Sequence, residues 1–130
     1  MTNIQGMLKE FHSIFDHPKV HSLELRPVLI REEAEELIQS LSHYTSIHGH
    51  PQAKGQVAKE CADLVYVTFG TAILWDIDLN AVLTEVHNSN LTKFDLEGIP
   101  QIRADGKILK GPNYRRPDMS KIIPNAEQIE

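Results

Sequence analysis

The stretch from Ala53 to Trp75, AKGQVAKECADLVYVTFGTAILW, constrains the fold more than any other part of the chain. It contains no proline and carries apolar side chains on two sides of a helix drawn at about 100° per residue. Ala58, Cys61, Ala62, Val65 and Phe69 form one face, which periodicity predicts as the core face with Cys61 as packing; Val67 and Leu74 lie opposite. A helix apolar all round belongs inside a protein, so other helices must cover it.

The chain supplies them. NIQGMLKEFHSIF places Ile4, Met7, Leu8, Phe11, Ile14 and Phe15 at helical spacing. Pro27 suits the first turn of a second helix through VLIREEAEELIQSLSHY, up to the breaker-rich HGHPQ. Asp78 is a plausible N-cap for a fourth helix, LNAVLTEVHNSNLTKF. After Gly98 the chain turns rich in Gly, Pro and Lys/Arg, with Asp105-Gly106 as a turn signal between two short apolar pairs. The expectation is all-α: a four-helix, bundle-like single domain over 1–130, with a helical core over about 3–95 and an irregular basic tail over about 96–130.

Composition narrows the function. At 130 residues, the chain is long enough to bury a core. Its net charge of −5 argues against a nucleic-acid surface, which needs a basic excess. No apolar run is long enough to cross a bilayer, and the first residues lack the layout of a secretory signal. A lone cysteine, Cys61, suits a reducing compartment. These features predict a cytoplasmic domain with no nucleic-acid or membrane partner.

The second helix contains the run EEAEE. Ile30, Ala34, Leu37, Ile38 and Leu41 fall on one stripe, its expected core face, and Glu33, Glu36 and Glu32 follow round one flank while Glu35 points elsewhere. The bland explanation is a solvated helix face. The third helix tips the balance, because Glu60 and Asp63 neighbour each other on the side that carries Val67 and Leu74. Carboxylates at the edge of a buried surface are costly unless paired or bound to metal. Lys54 and Lys59 are near enough in sequence to pair, but long lysine side chains more often reach water. Five carboxylates from two helices make a hard-oxygen site for Mg²⁺ or Mn²⁺.

Glu32-Glu33-x-x-Glu36, then Glu60-x-x-Asp63, then EVHNSNLTKF and DGKILKGPNYRRPDM, taken in this order, resemble the MazG-like all-α nucleoside triphosphate pyrophosphohydrolases from about Phe11 to Asp118. The resemblance implies hydrolysis of a (deoxy)nucleoside triphosphate to monophosphate and pyrophosphate, for nucleotide-pool control or house-cleaning. It implies that Glu32, Glu33, Glu36, Glu60 and Asp63 hold the divalent ions, with Glu32 or Glu33 activating water. His87, Asn90 and Lys93, along one side of the fourth helix, become phosphate-side candidates, although alone they read as a polar helix end. Lys107, Lys110, Tyr114 and Arg115 become candidates for a lid over the triphosphate, against the equal alternative of a solvated tail. Phe11 and Phe15, with His12 at the rim, are candidates for a base slot, though aromatics at this spacing are more often core, and Trp75 reads as packing or a subunit contact.

Helices apolar on more than one side, together with the family's habit, predict a homodimer or homotetramer. Phosphoribosyl-ATP hydrolysis and a non-catalytic helical interaction module are the alternatives. A di-iron bundle is disfavoured because it needs Glu-x-x-His, whereas His12 and His87 follow glutamates two positions on.

Overall fold

The computed structural model describes residues 3–127; the last three positions of the expected tail, 128–130, lie outside them. The fold is all-α, with α1 (Ile4–Ile14), α2 (Leu25–Tyr44), α3 (Pro51–Leu74) and α4 (Leu79–Asn90), plus one small antiparallel hairpin of β1 (Gln101–Ile102) and β2 (Ile108–Leu109). Local chemistry sets the helix starts. Asn3 caps α1 by accepting from the Gly6 amide, and Asp78 caps α4 by accepting from the Ala81 amide. α3 starts two residues earlier than expected because Pro51 fits its first position and the His50 ring caps the Gln52 amide at 3.2 Å.

The end of α4 differs from expectation. The Thr92 hydroxyl donates to the Ser89 carbonyl at 2.6 Å, and the amides of Thr92 and Lys93 fall back to the carbonyls of Ser89 and Asn90. Such local side-chain bonds compete with helix propagation. The helix therefore stops at Asn90 instead of running to Phe94, and Lys93 does not share a helical face with His87 and Asn90.

The chain divides into two compact units, with the boundary between Ile77 and Asp78. In the first, α2 and α3 form an antiparallel hairpin and α1 packs on α3. Leu8, Ala53, Phe69 and Ala72 are its buried apolar residues, and burying one leucine or phenylalanine contributes about 1.5–3 kcal/mol. The polar tie between α2 and α3 is Arg26, 5% exposed, whose Nε donates to Thr71 Oγ1 and whose Nη2 donates to the Val67 carbonyl, both at 3.0 Å. Gly70 makes room for it: a Cβ there would sit 3.0 Å from Arg26 Nη2 and 3.1 Å from His12 Nε2.

The expected core faces are corrected. On α3, Phe69 is buried, but Ala58, Cys61, Ala62 and Val65 are exposed; on α2, Ile38 and Leu41 are exposed. Both sides of α3 are apolar, so periodicity alone does not choose between them. α1 and α2 cover the side that carries Glu60 and Val67, and Cys61 is not a packing residue within the chain.

In the second unit the tail returns to α4. Glu85, 6% exposed, accepts from the Asp118 amide at 2.9 Å and Arg115 Nη1 at 2.8 Å, with Lys121 Nζ at 3.5 Å. Ser89, fully buried, donates to the Arg115 carbonyl at 2.6 Å, and the Arg115 amide donates to Thr92 Oγ1 at 2.9 Å. Gly111 lies so close to Phe94 that a Cβ would overlap its carbonyl. The Asp118 amide, then the Arg115 guanidinium, hold the Glu85 carboxyl down at about 2, against an ordinary 4.5. A depressed carboxylate stabilises the fold fully above its unfolded pKa and loses that contribution as pH falls through the folded one. Amide protection factors at residues 111–121, with the intrinsic pH dependence of exchange divided out, should fall progressively from about pH 4.5 down to about pH 2. Glu85→Gln should show the lower protection already at pH 7, and unchanged protection in that variant would remove the clamp.

Candidate metal centre

The register set by Arg26 decides which carboxylates meet. About two and nearly three turns forward along α2 from Arg26 stand Glu33 and Glu36; about one and two turns back along α3 from Val67 stand Asp63 and Glu60. One ligand oxygen from each of Glu33, Glu36, Glu60 and Asp63 lies within 4.8 Å of the other three. Glu60 is 5% exposed, Glu33 and Asp63 are half-buried and Glu36 is exposed. Thus four of the five expected carboxylates converge. Glu32 is exposed and stands outside the quartet; Glu35 is exposed as well.

Hydrogen bonding does not satisfy this cluster. Glu60 Oε1 accepts from Gln56 Nε2 at 2.6 Å, but Glu60 Oε2 and Glu33 Oε2 are buried with no donor. A buried carboxylate oxygen without a donor is costly. The charge of Glu33, with Glu60 adding to it, raises the pKa of Glu36. One cation answers in part: Lys59 Nζ lies 2.7 Å from Asp63 Oδ2 and 3.6 Å from Glu60 Oε1. Lys59 was expected to reach water; it pairs instead, while its side chain stays 62% exposed.

The donors suit a hard divalent cation. They are all carboxylate oxygens, and Mg²⁺ binds oxygen at about 2.1 Å, which puts opposite corners of its octahedron about 4.2 Å apart. A quartet within 4.8 Å needs little adjustment to match that span.

About one turn from the quartet along α2 and α3, a cavity of about 180 Å³ opens between Leu8, Phe11, His12, Arg26, Leu29 and Tyr66, among others. Phe11 meets Tyr66 edge-on with ring centroids 5.5 Å apart. Phe15 packs against Phe11 at 4.8 Å but is exposed and does not line the cavity. His12 is not at a rim: it is buried, and its Nδ1 has no hydrogen-bond partner. Burial, then the charges of Arg26 and His21, lower the His12 pKa, so the ring is neutral at pH 7. Arg26 has no carboxylate in ion-pairing range among the described residues. Its place in the cavity was missed because an arginine before a helix-initiating proline looks ordinary in sequence.

The remaining candidates belong to the second unit. His87 and Asn90 are exposed on α4, Lys93 is half-buried just beyond it, and Lys107 is exposed at the hairpin. Lys110 Nζ sits 5.0 Å from the centre of the Tyr114 ring, and Arg115 is engaged by Glu85. In the first unit, Trp75 is exposed at the end of α3 and is not packed within the chain.

A helical hairpin thus opposes Glu-x-x-Glu to Glu-x-x-Asp, and the class of the protein, an all-α nucleotide pyrophosphohydrolase, comes from its family. The sequence model of the phosphoribosyl-ATP pyrophosphohydrolase family matches residues 8–90, well over half of the chain, and the chain belongs to that family, a branch of the MazG-like all-α NTP pyrophosphatase superfamily. No curated protein matches it.

Mg²⁺ or Mn²⁺ at about a hundredfold its Kd should raise the melting temperature by roughly 8 °C. Glu60→Gln should abolish the shift. Glu36→Gln should melt higher than the parent in EDTA, because one repelling charge is gone, and gain less from metal. Scanning calorimetry reads all three, and an unchanged shift in Glu60→Gln would place the ion elsewhere.

Proposed function

We propose that this chain hydrolyses a nucleoside or deoxynucleoside triphosphate between the α and β phosphates, releasing the monophosphate and pyrophosphate, with Mg²⁺ or Mn²⁺ as cofactor. The observation that carries this proposal is the carboxylate quartet with its buried, donor-free oxygens. Glu33, Glu36, Glu60 and Asp63 would hold the ion, and Glu32, exposed beside them, is the further candidate for a ligand or for the base. The bound ion would shield the triphosphate from the carboxylates, polarise a phosphoryl oxygen and lower the pKa of a water. Glu33 or Glu32 accepts the proton as that water's oxygen bonds to phosphorus and the bridging P–O bond breaks.

The cavity beside Phe11, His12 and Tyr66 is proposed to take the base. Phe11, Leu29 and Tyr66 give it apolar walls suited to a base ring. Neutral His12, with Nδ1 unpartnered, offers one polar contact at its inner wall. Phosphoribosyl-ATP is the second candidate substrate, favoured by the family match over residues 8–90. The exposed apolar side of α3, at Ala58, Cys61, Ala62 and Val65, supports assembly into a homodimer or homotetramer.

Pyrophosphate release from each canonical ribo- and deoxynucleoside triphosphate, and from phosphoribosyl-ATP, with Mg²⁺, Mn²⁺ or EDTA, tests the proposal. The expected result is metal-dependent release from a triphosphate. Since even outer-shell partners of a metal are worth about 10- to 100-fold, Glu36→Gln and Asp63→Asn should each lower kcat by more than about 100-fold while leaving the fold intact. Phe11→Ala should mainly raise KM. Turnover of phosphoribosyl-ATP alone would transfer the activity to that substrate.

A further inference from the structure

Among the described residues, Lys59 is the cation that forms ion pairs with members of the quartet. It precedes the buried ligand Glu60 and lies one turn before Asp63 on α3, so its ammonium reaches Asp63 Oδ2 at 2.7 Å and Glu60 Oε1 at 3.6 Å. It thus stands on two of the proposed ligand residues while Glu60 Oε2 and Glu33 Oε2, at the same cluster, have no donor.

We propose that Lys59 competes with the divalent cation for Asp63 and Glu60, and so sets the metal affinity of this centre below what its carboxylates alone would give. This rests on the metal-centre assignment above. A divalent ion about 2.1 Å from an Asp63 oxygen would stand only a few ångströms from the ammonium. Two cations at that separation repel, and the ammonium is the one on a flexible stem. With its side chain 62% exposed, Lys59 can swing into water at little cost, recovering rotamer freedom as it goes. An exposed ion pair of this kind is worth at most about a fivefold factor, which is therefore the penalty it places on metal binding. In return, Lys59 is the positive charge that partly offsets repulsion among four carboxylates between α2 and α3.

Lys54, also on α3, serves as the control: it lines an apolar pocket with Leu41, Tyr44 and Val57, away from the quartet. Mn²⁺ binding to the purified full chain, without nucleotide, is measured by titration calorimetry and by the electron paramagnetic resonance signal of free Mn²⁺. Lys59→Met should tighten Kd by about fivefold. Lys59→Arg, which keeps the charge, should stay within about twofold of the parent, as should Lys54→Met. In EDTA, Lys59→Met should melt below the parent. Lys59→Gln replaces the methionine variant if the latter does not fold.

An affinity unchanged or weakened in Lys59→Met overturns the competition. Equal tightening in Lys54→Met also overturns it, by reducing the effect to net charge. If the parent binds no Mn²⁺, the metal centre itself fails and this inference falls with it; if the parent binds and Lys59→Met does not tighten, the inference alone fails.

Discussion

The buried guanidinium of Arg26 holds α2 and α3 in the register on which the first unit depends. Its bonds to Thr71 and the Val67 carbonyl join the start of one helix to the end of the other. A slip of one residue would rotate each helix by about 100° and carry the carboxylates of α2 away from those of α3. The same guanidinium has little competing use. With no carboxylate in ion-pairing range among the described residues, its Nε and Nη2 donate to α3, and Gly70 supplies the space it fills. Two helical turns, about 10 Å along the axis, separate it from the acidic cluster. At that distance a charge is partly screened in water, but across a protein interior it still favours the negative end of the groove.

Attraction at one end of the hairpin lets repulsion persist in the middle. Four carboxylates within 4.8 Å would push α2 and α3 apart if only local forces acted. Arg26, the packing of Phe69 and Ala72, and α1 clamped through Leu8 keep them together. Gln56 and Lys59 each answer one part of the charge, on Glu60 and on Asp63, and leave the inner oxygens of Glu33 and Glu60 without donors. If the proposed cation binds here, the fold has borne the electrostatic cost before it arrives. The aromatic cavity draws on the same two helices, through Arg26 and Leu29 of α2 and Tyr66 and Val67 of α3, about one turn from the quartet.

Much of this was legible in the sequence, for reasons that can be named. Helix existence followed from 3.6-residue periodicity, the start of α4 from Asp78, and the hairpin turn from Asp105-Gly106, because each signal acts within a few residues. The acidic quartet was legible because four carboxylates sit at spacings that return to one helical side. What was not legible depended on partners distant in sequence. Nothing local shows that α3 turns Glu60 rather than Cys61 inward, since both sides are apolar. Nothing local shows that His12 is buried, or that Arg115 pairs with Glu85, 30 residues earlier. The early end of α4 was readable in principle: Thr92 is a residue whose hydroxyl competes for helix carbonyls.

The two apolar sides of α3 differ in what covers them within the chain. One faces α1 and α2 and carries Glu60, so its apolar residues pack the hairpin and surround the carboxylates. The other presents Ala58, Cys61, Ala62 and Val65 to solvent, with Trp75 exposed at the helix end. Around the helix these residues are turned by about 100° or more from Glu60. A surface that covers them would bury apolar area without entering the groove or touching the quartet. Small side chains dominate that side, which permits close approach of another helix, and close approach raises the area buried per residue. The proposed assembly would cover that outer side, and the proposed metal site lies on the inner one, so the two proposals draw on different sides of one helix.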